Sequence, residues 1–250
     1  MSKNELLTIG YSTLARRAAG IKFLGNFNNL VVIQNPNSEK LLVLPKEVTL
    51  IELKSKGVAK SRNAVIENTN TEYLLFGDDD ILFKEESINS ALEYLESNKD
   101  QSILLLQAVD ETGTLRKTYP KQAHSLKLTN SAKAATYEMI IRVKDIKAKS
   151  IRFDERFGAG AENYLGDEYI FIADALRAGL KGTFLPIVIA THPTDSSGSF
   201  HSTKEDALVR SRIFSRVFGI WAPVMRLLFI LKRPSKKFGF RNSISFLIGR

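Results

Sequence analysis

The sequence predicts an α/β fold with a largely parallel sheet. Two patterns carry that expectation. Short apolar, β-branched runs recur along the chain, and segments of helical spacing stand between them. Size sets the bound: 250 residues, 44% hydrophobic and 25% charged, suffice for one well-buried domain or one domain with an appendage.

In chain order, Leu6 to Gly10 reads as a first strand, followed by the loop Tyr11-Ser12-Thr13. Leu30 to Gln34 is a second strand, stopped by the turn signal Asn35-Pro36-Asn37, and Val48 to Ile51 is a third. Gly57 opens a helix that runs to Asn68, and Tyr73 to Phe76 reads as a buried strand. Between Glu85 and Asn98, Ile88, Leu92 and Leu95 share one helical face. Ser102 to Val109 is another strand, and Tyr137 to Val143 a further candidate. Asp154 to Gly160 reads as a loop, and Asp167 to Ala178 as a helix closed by Gly179. Thr183 to Ala190 contains Pro186, which suggests an edge strand or a bulge. Thr194 to Ser202 is a Ser-rich loop, and His124 and His201 read as surface residues.

Cysteine is absent, which removes disulfides, cysteine-ligated metals and cysteine nucleophiles, and fits a reducing compartment. No signal peptide is read at Met1-Ser2-Lys3-Asn4-Glu5, so the cytoplasmic side is expected. The net charge of +9 is unevenly placed: residues 207–250 hold ten Lys or Arg and no acid, which leaves −1 for residues 1–206. The boundary is therefore drawn at 205/206, between a catalytic body and a basic amphipathic helical tail. Within that tail Val217 to Leu231 is apolar except for Arg226, and is interrupted by Pro223. It reads as too short to span a bilayer, which takes ~20 apolar residues. Trp221 and the flanking cations suit a helix lying in the headgroups of an anionic leaflet. The plainer alternative is a C-terminal helix packed on the body with its charges solvated. No nucleic-acid partner is expected.

The strand Tyr73 to Phe76 runs through Gly77 into Asp78-Asp79-Asp80. Three adjacent carboxylates repel one another, and a hard divalent cation with oxygen ligands relieves the conflict. Ligands in open α/β sheets bind at the carboxyl ends of strands. Alternation along an extended segment lets Asp78 and Asp80 face one site while Asp79 turns away.

Gly57-x-x-x-Ser61-Arg62-Asn63, about fifteen residues before Phe76-x-Asp78-x-Asp80, resembles the inverting glycosyltransferases of the family 2 type. A second block, Phe153-Asp154-Glu155-Arg156-Phe157-Gly158-x-Gly160, then Gly166-Asp167-Glu168, then Ala175-Leu176-Arg177-x-Gly179, is similar to that family's acceptor-side segment. The resemblance runs from about Leu6 to about Ser197. It implies the GT-A fold, a Rossmann-like three-layer sandwich on a mixed, mainly parallel sheet. It also implies a nucleoside diphosphate sugar as donor and Mn²⁺ or Mg²⁺ as cofactor, with Asp78, Asp80 and His192 near the metal. Tyr11, Ser12, Gln34, Arg62 and Asp79 fall on the donor side. Glu168 takes the base position with Asp167 beside it. The family more often has Glu before Asp there, so either carboxylate is a candidate base. Where the family usually has an Asp after the second strand, this chain has Gln34-Asn35.

The expected activity is a metal-dependent, inverting, hexosyltransferase-like transfer to a growing glycan, lipid-linked by the hint of the tail. The setting is bacterial surface polysaccharide assembly at the inner face of the cell membrane. Two rivals stand beside it. A sugar-phosphate nucleotidyltransferase would carry a Gly-rich basic loop after the first strand, which Ile9 to Arg17 matches poorly. A non-catalytic basic module binding membrane or nucleic acid would not need the acidic triplet.

Overall fold

The computed structural model describes residues 3–193, 203–232 and 239–249. Its elements are α1 (Lys3–Leu6), β1 (Leu7–Leu14), β2 (Asn28–Gln34), β3 (Val48–Leu53), α2 (Val58–Asn68), β4 (Tyr73–Gly77), β5 (Leu82–Phe83), α3 (Glu85–Ser97), β6 (Gln101–Val109) and β7 (His124–Ser125). There follow β8 (Met139–Arg142), α4 (Val143–Ala148), α5 (Asp167–Arg177), β9 (Lys181–Thr191), α6 (Lys204–Phe218), α7 (Ala222–Lys232) and α8 (Gly239–Ile248). Short 3₁₀ turns span Ala15–Gly20, Thr136–Glu138 and Gly219–Trp221. The expected loop 194–202, with His201, lies outside the described residues.

The strands form one mixed sheet in the order β3-β2-β1-β4-β8-β6-β9-β5, with β7 also on β9. β3, β2, β1 and β4 run parallel, as do β6 and β9, while β8 lies antiparallel between β4 and β6. Side chains alternate across the sheet. Along β4, Tyr73 and Leu75 join Ile88, Leu92 and Leu95 of α3 on one face. Leu74 and Phe76 join Val65 of α2, Phe153 and Phe171 of α5 on the other. Helices thus cover both faces, which is why these strands are apolar throughout rather than alternating. Gly10 lets α2 sit down on β1, since a Cβ there would lie 2.2 Å from Val65 Cγ1.

Four expectations change or narrow. The first strand continues to Leu14, because β2 and β4 pair with it on both sides and Tyr11 to Thr13 stay in the ladder. Of the two alternatives for β9, the bulge holds and the edge does not. Pro186 sits where the register against β6 slips, and between the stretches that β7 and β5 pair, so its missing N–H costs nothing. The segment after Ala135 begins as a 3₁₀ turn and becomes strand only at Met139. His124, expected at the surface, is half-buried against the Phe184 ring, centroids 5.1 Å apart.

The C-terminal helices are tied to the body. Val209, Ile213 and Val217 of α6 pack with Phe157, Tyr169, Ile170 and Ala173. The expected boundary at 205/206 falls in the first turn of α6. Phe214, Phe229 and Phe246 gather α6, α7 and α8, with centroids 5.2–5.6 Å apart. Four of the tail's cations are engaged inside this assembly. Arg210 pairs with Asp206, Arg212 with Glu162, and Arg216 bridges Asp154 and Asp174. Arg226, buried, donates to the carbonyls of Ser211 and Leu247. The run Lys204–Lys232, 29 residues, is long and apolar enough to cross a membrane by length and composition, contrary to the expectation of a run too short to do so. The packing of α6 on α5 nevertheless holds its first half against the body.

Candidate active site

The carboxylates meet at the C-terminal ends of β1 and β4. β4 ends at Gly77, and Asp78 and Asp80, both partly exposed, follow it into the cleft. Asp79 turns away as strand alternation requires. It is buried, accepts the Thr13 hydroxyl and faces Arg17 Nη2 at 2.5 Å. That arginine also reaches Asp80 Oδ2 at 3.1 Å. Asp79 therefore fastens the strand end to β1 rather than facing a donor, which corrects its donor-side assignment.

Arg62 stands at the centre. Gly57, at φ 132°, turns the chain into α2, and the next residues of the motif each reach a different part of the fold. Ser61 accepts from Gln34 Nε2 at 3.2 Å. Asn63 exchanges hydrogen bonds with the backbone of Phe153, 2.8 and 3.0 Å. Arg62, buried over the Phe153 ring, donates to Asp167 Oδ2 at 2.5 Å. It also lies 3.5 Å from Glu168 Oε1 and 3.5 Å from Asp78 Oδ1.

Asp167 and Glu168 begin α5, where the helix dipole favours negative charge. Gly166 precedes them in a left-handed conformation, φ 95°, and its missing Cβ admits Ile213 of α6, which a Cβ would meet at 2.3 Å. A single guanidinium among three carboxylates leaves the site short of positive charge. Burial first, and Glu168 second, push Asp167 up to about 7. Burial also raises Asp78, against the pull of Arg62. Glu168 goes the other way. Burial opposes its charge, yet Arg62, its own backbone, Asp167 and the Thr136 hydroxyl hold it below the ordinary carboxylate value. Of the two candidates, Glu168 is the one whose charged form these surroundings favour.

His192 faces Asp80, with Nε2 3.7 Å from Oδ1. Its Nδ1 lies 2.8 Å from the Pro193 carbonyl, which can only accept, so Nδ1 carries a hydrogen. The ring stacks on Tyr137, centroids 5.0 Å apart. Among the described residues no three His, Cys, Asp or Glu side chains form a metal cage. The Asp80–His192 pair, with Asp78 near by, fits a hard cation that takes its remaining oxygens from phosphate or water, as Mg²⁺ commonly does.

The other donor-side assignments divide. Ser12 is buried and its hydroxyl finds no hydrogen-bond partner among the described residues, an orphan near the strand end that a ligand would satisfy. Tyr11 is a correction. It is fully buried, packed edge-on to Phe23, with its hydroxyl turned to the Lys22 carbonyl, because the strand continues and directs it into the core. Gln34 is occupied within the fold, its Oε1 accepting from Gly57 N at 2.7 Å and its Nε2 donating to Ser61. Thr13, Arg17, Thr136 and Tyr137 were not anticipated. Arg16-Arg17 was visible only as a poor phosphate-loop match, and nothing in Ala134-Ala135-Thr136-Tyr137 marks its place.

Residues 35–157 match the sequence model of Glycosyl transferase family 2. That stretch contains the Arg62 motif and the acidic strand end that the cleft is built on. Those residues carry the signature of Glycosyl transferase family 2, within a fold of GT-A type. The family 2 match stops short of Asp167 and Glu168, which join it through Arg62. Solved structures agree on the fold. S. aureus TarS 1–349 in complex with UDP-GlcNAc is 16% identical with a TM-score of 0.61, over 96% of this chain and 75% of that one. TarS 1–349 is likewise 16% identical, with a TM-score of 0.58, over 86% of this chain and 66% of that one. In a further TarS structure the chain spans 45% of the length, at a TM-score of 0.59. No curated protein sequence matches the chain.

Proposed function

We propose that the family 2 domain transfers a sugar, with inversion, from a nucleoside diphosphate sugar to a hydroxyl of a growing glycan. The observation that carries this reading is the convergence on one cleft of Glu168 and Asp78, both beside Arg62, with the Asp80–His192 pair two residues on from Asp78. The reaction is a single displacement. The acceptor oxygen attacks the anomeric carbon as the bond to the diphosphate breaks, and Glu168 takes the acceptor's proton. Asp80 and His192, with Asp78, would hold a divalent cation, which when bound neutralises charge on the leaving diphosphate. The unpaired Ser12 hydroxyl lies on the donor side. The solved TarS complexes with UDP-GlcNAc and UDP support a nucleotide donor for this fold.

We further propose a lipid-linked acceptor and a peripheral position on the cytoplasmic face of the membrane, as in surface polysaccharide synthesis. Ile220 is 89% exposed and Trp221 65%, and Val224, Leu227, Leu228 and Leu231 continue an uncovered apolar face along α7. Lys232 and Arg241 flank it. Such a face suits the headgroup layer of an anionic leaflet. The transferase reading is tested by thermal shift against a panel of nucleoside diphosphate sugars with and without Mn²⁺. One donor should raise the melting temperature, more so with metal. No shift with any donor contradicts the reading.

A further inference from the structure

Residues 136–138 form one 3₁₀ turn whose three side chains reach three separate places. The Thr136 hydroxyl donates to Glu168 Oε1 at 3.0 Å. The Tyr137 ring stacks on His192. The Glu138 carboxylate is buried and accepts from Tyr119 Oη at 2.5 Å, Lys117 Nζ at 2.8 Å and Ala135 N at 3.0 Å. Such a satisfied buried network fixes the turn rigidly. Thr136 is 1% exposed, so its β-branched side chain has little rotameric freedom.

We propose that Thr136 is a positioning residue for the base. It rests on the reading of Glu168 as base and extends it. The groups facing this carboxylate are Arg62 from α2, Asp78 after β4, Asp167 on α5 and Thr136 from the turn. Arg62 and Thr136 both approach Oε1. With Oε1 held from two sides, we assign Oε2 as the oxygen that receives the acceptor's proton. Thr136 touches neither donor nor acceptor in this account. It acts by fixing the direction of the accepting lone pair, which matters because general-base catalysis is a matter of reach and alignment before it is one of basicity.

The test uses the full chain and release of nucleoside diphosphate from a panel of UDP-, GDP- and dTDP-sugars with Mn²⁺, water standing in as acceptor. Thr136→Val keeps the shape and removes the hydroxyl; Thr136→Ser keeps the hydroxyl; Glu168→Gln serves as control. Thr136→Val should lower kcat roughly tenfold or more, the scale of one hydrogen bond to a charged group. Donor KM and melting temperature should stay near wild type, and Thr136→Ser should recover most of kcat. A Thr136→Val enzyme with wild-type kcat, beside an inactive Glu168→Gln, overturns this proposal alone. So does a loss of kcat matched by a fall in melting temperature that serine does not rescue. Full activity in Glu168→Gln, or no turnover by wild type, overturns the underlying reading and this proposal with it.

Discussion

Arg62 Nη1 donates to Asp167 Oδ2 across 2.5 Å of space and 105 residues of sequence. That contact joins the two acidic clusters of the chain. On one side of the guanidinium stands Asp78 at the end of β4, and on the other Asp167 and Glu168 at the start of α5. The cleft is thus built around a buried cation that neither cluster could do without.

Removing that cation should unfold more than it inactivates. Arg62→Met leaves buried Asp167, and the partly buried Asp78 and Glu168, without their shared partner, a loss of about 3–5 kcal/mol for the broken buried pair with Asp167. Urea denaturation of wild type and variant measures it. An unchanged midpoint would show that the carboxylates are neutralised by other means.

Asp79 and Asp80 should part company under mutation. Asp80→Asn removes the partner of His192 and should abolish metal-dependent donor turnover with little change in melting temperature. Asp79→Asn weakens the contacts to Thr13 and Arg17 and should cost about 1–3 kcal/mol of stability while leaving donor affinity near wild type. Calorimetric donor titration and thermal melts of both variants decide it, and reversed phenotypes would exchange their roles.

Asp167 should leave a signature in the pH dependence of folding. Its ordinary value is 3.8 and it is pushed up to about 7 in the fold. A raised carboxyl stabilises the fold fully below its unfolded value, and that contribution is lost as pH rises through the folded one. Asp167→Asn should therefore show a weaker decline in unfolding free energy between pH 4 and pH 7 than wild type does. Equal slopes would place the proton elsewhere.

Tyr11 and Ser12, adjacent in β1, should behave in opposite ways. Tyr11→Phe loses only a long contact to the Lys22 carbonyl, 3.4 Å, inside the core, and donor affinity should not change. Ser12→Ala removes a buried hydroxyl that has no partner in the fold, and donor affinity should fall several-fold. Titration of the best-binding nucleotide-sugar compares them, and a loss in the Tyr11 variant alone would contradict the placement.

These pairs also show what could be read from the sequence. Asp78 and Asp80 were legible as a facing pair because strand alternation is local, and the same rule turned Asp79 away. Where β1 ends is not local. Its ladder is prolonged by β2 and β4, and those neighbours moved Tyr11 from an expected loop into the core. The ten cations of the tail were legible as a charge excess. The distant partners of some, such as Asp154 for Arg216, 62 residues away, come together only in the fold. Thr136 carries no motif, since its role arises only where a turn before β8 meets the first turn of α5.

Glu168 is where the account is most directly exposed. The decisive measurement is nucleoside diphosphate release by Glu168→Gln beside wild type, with donor affinity followed by calorimetry in the presence of Mn²⁺. The substitution keeps the shape and the Thr136 contact, and removes the charge beside Arg62 together with the capacity to take a proton. Donor affinity should stay within about twofold of wild type and release should fall by two to four orders of magnitude, roughly the contribution of a general base. Release at the wild-type rate would contradict it and remove Glu168 from the chemistry.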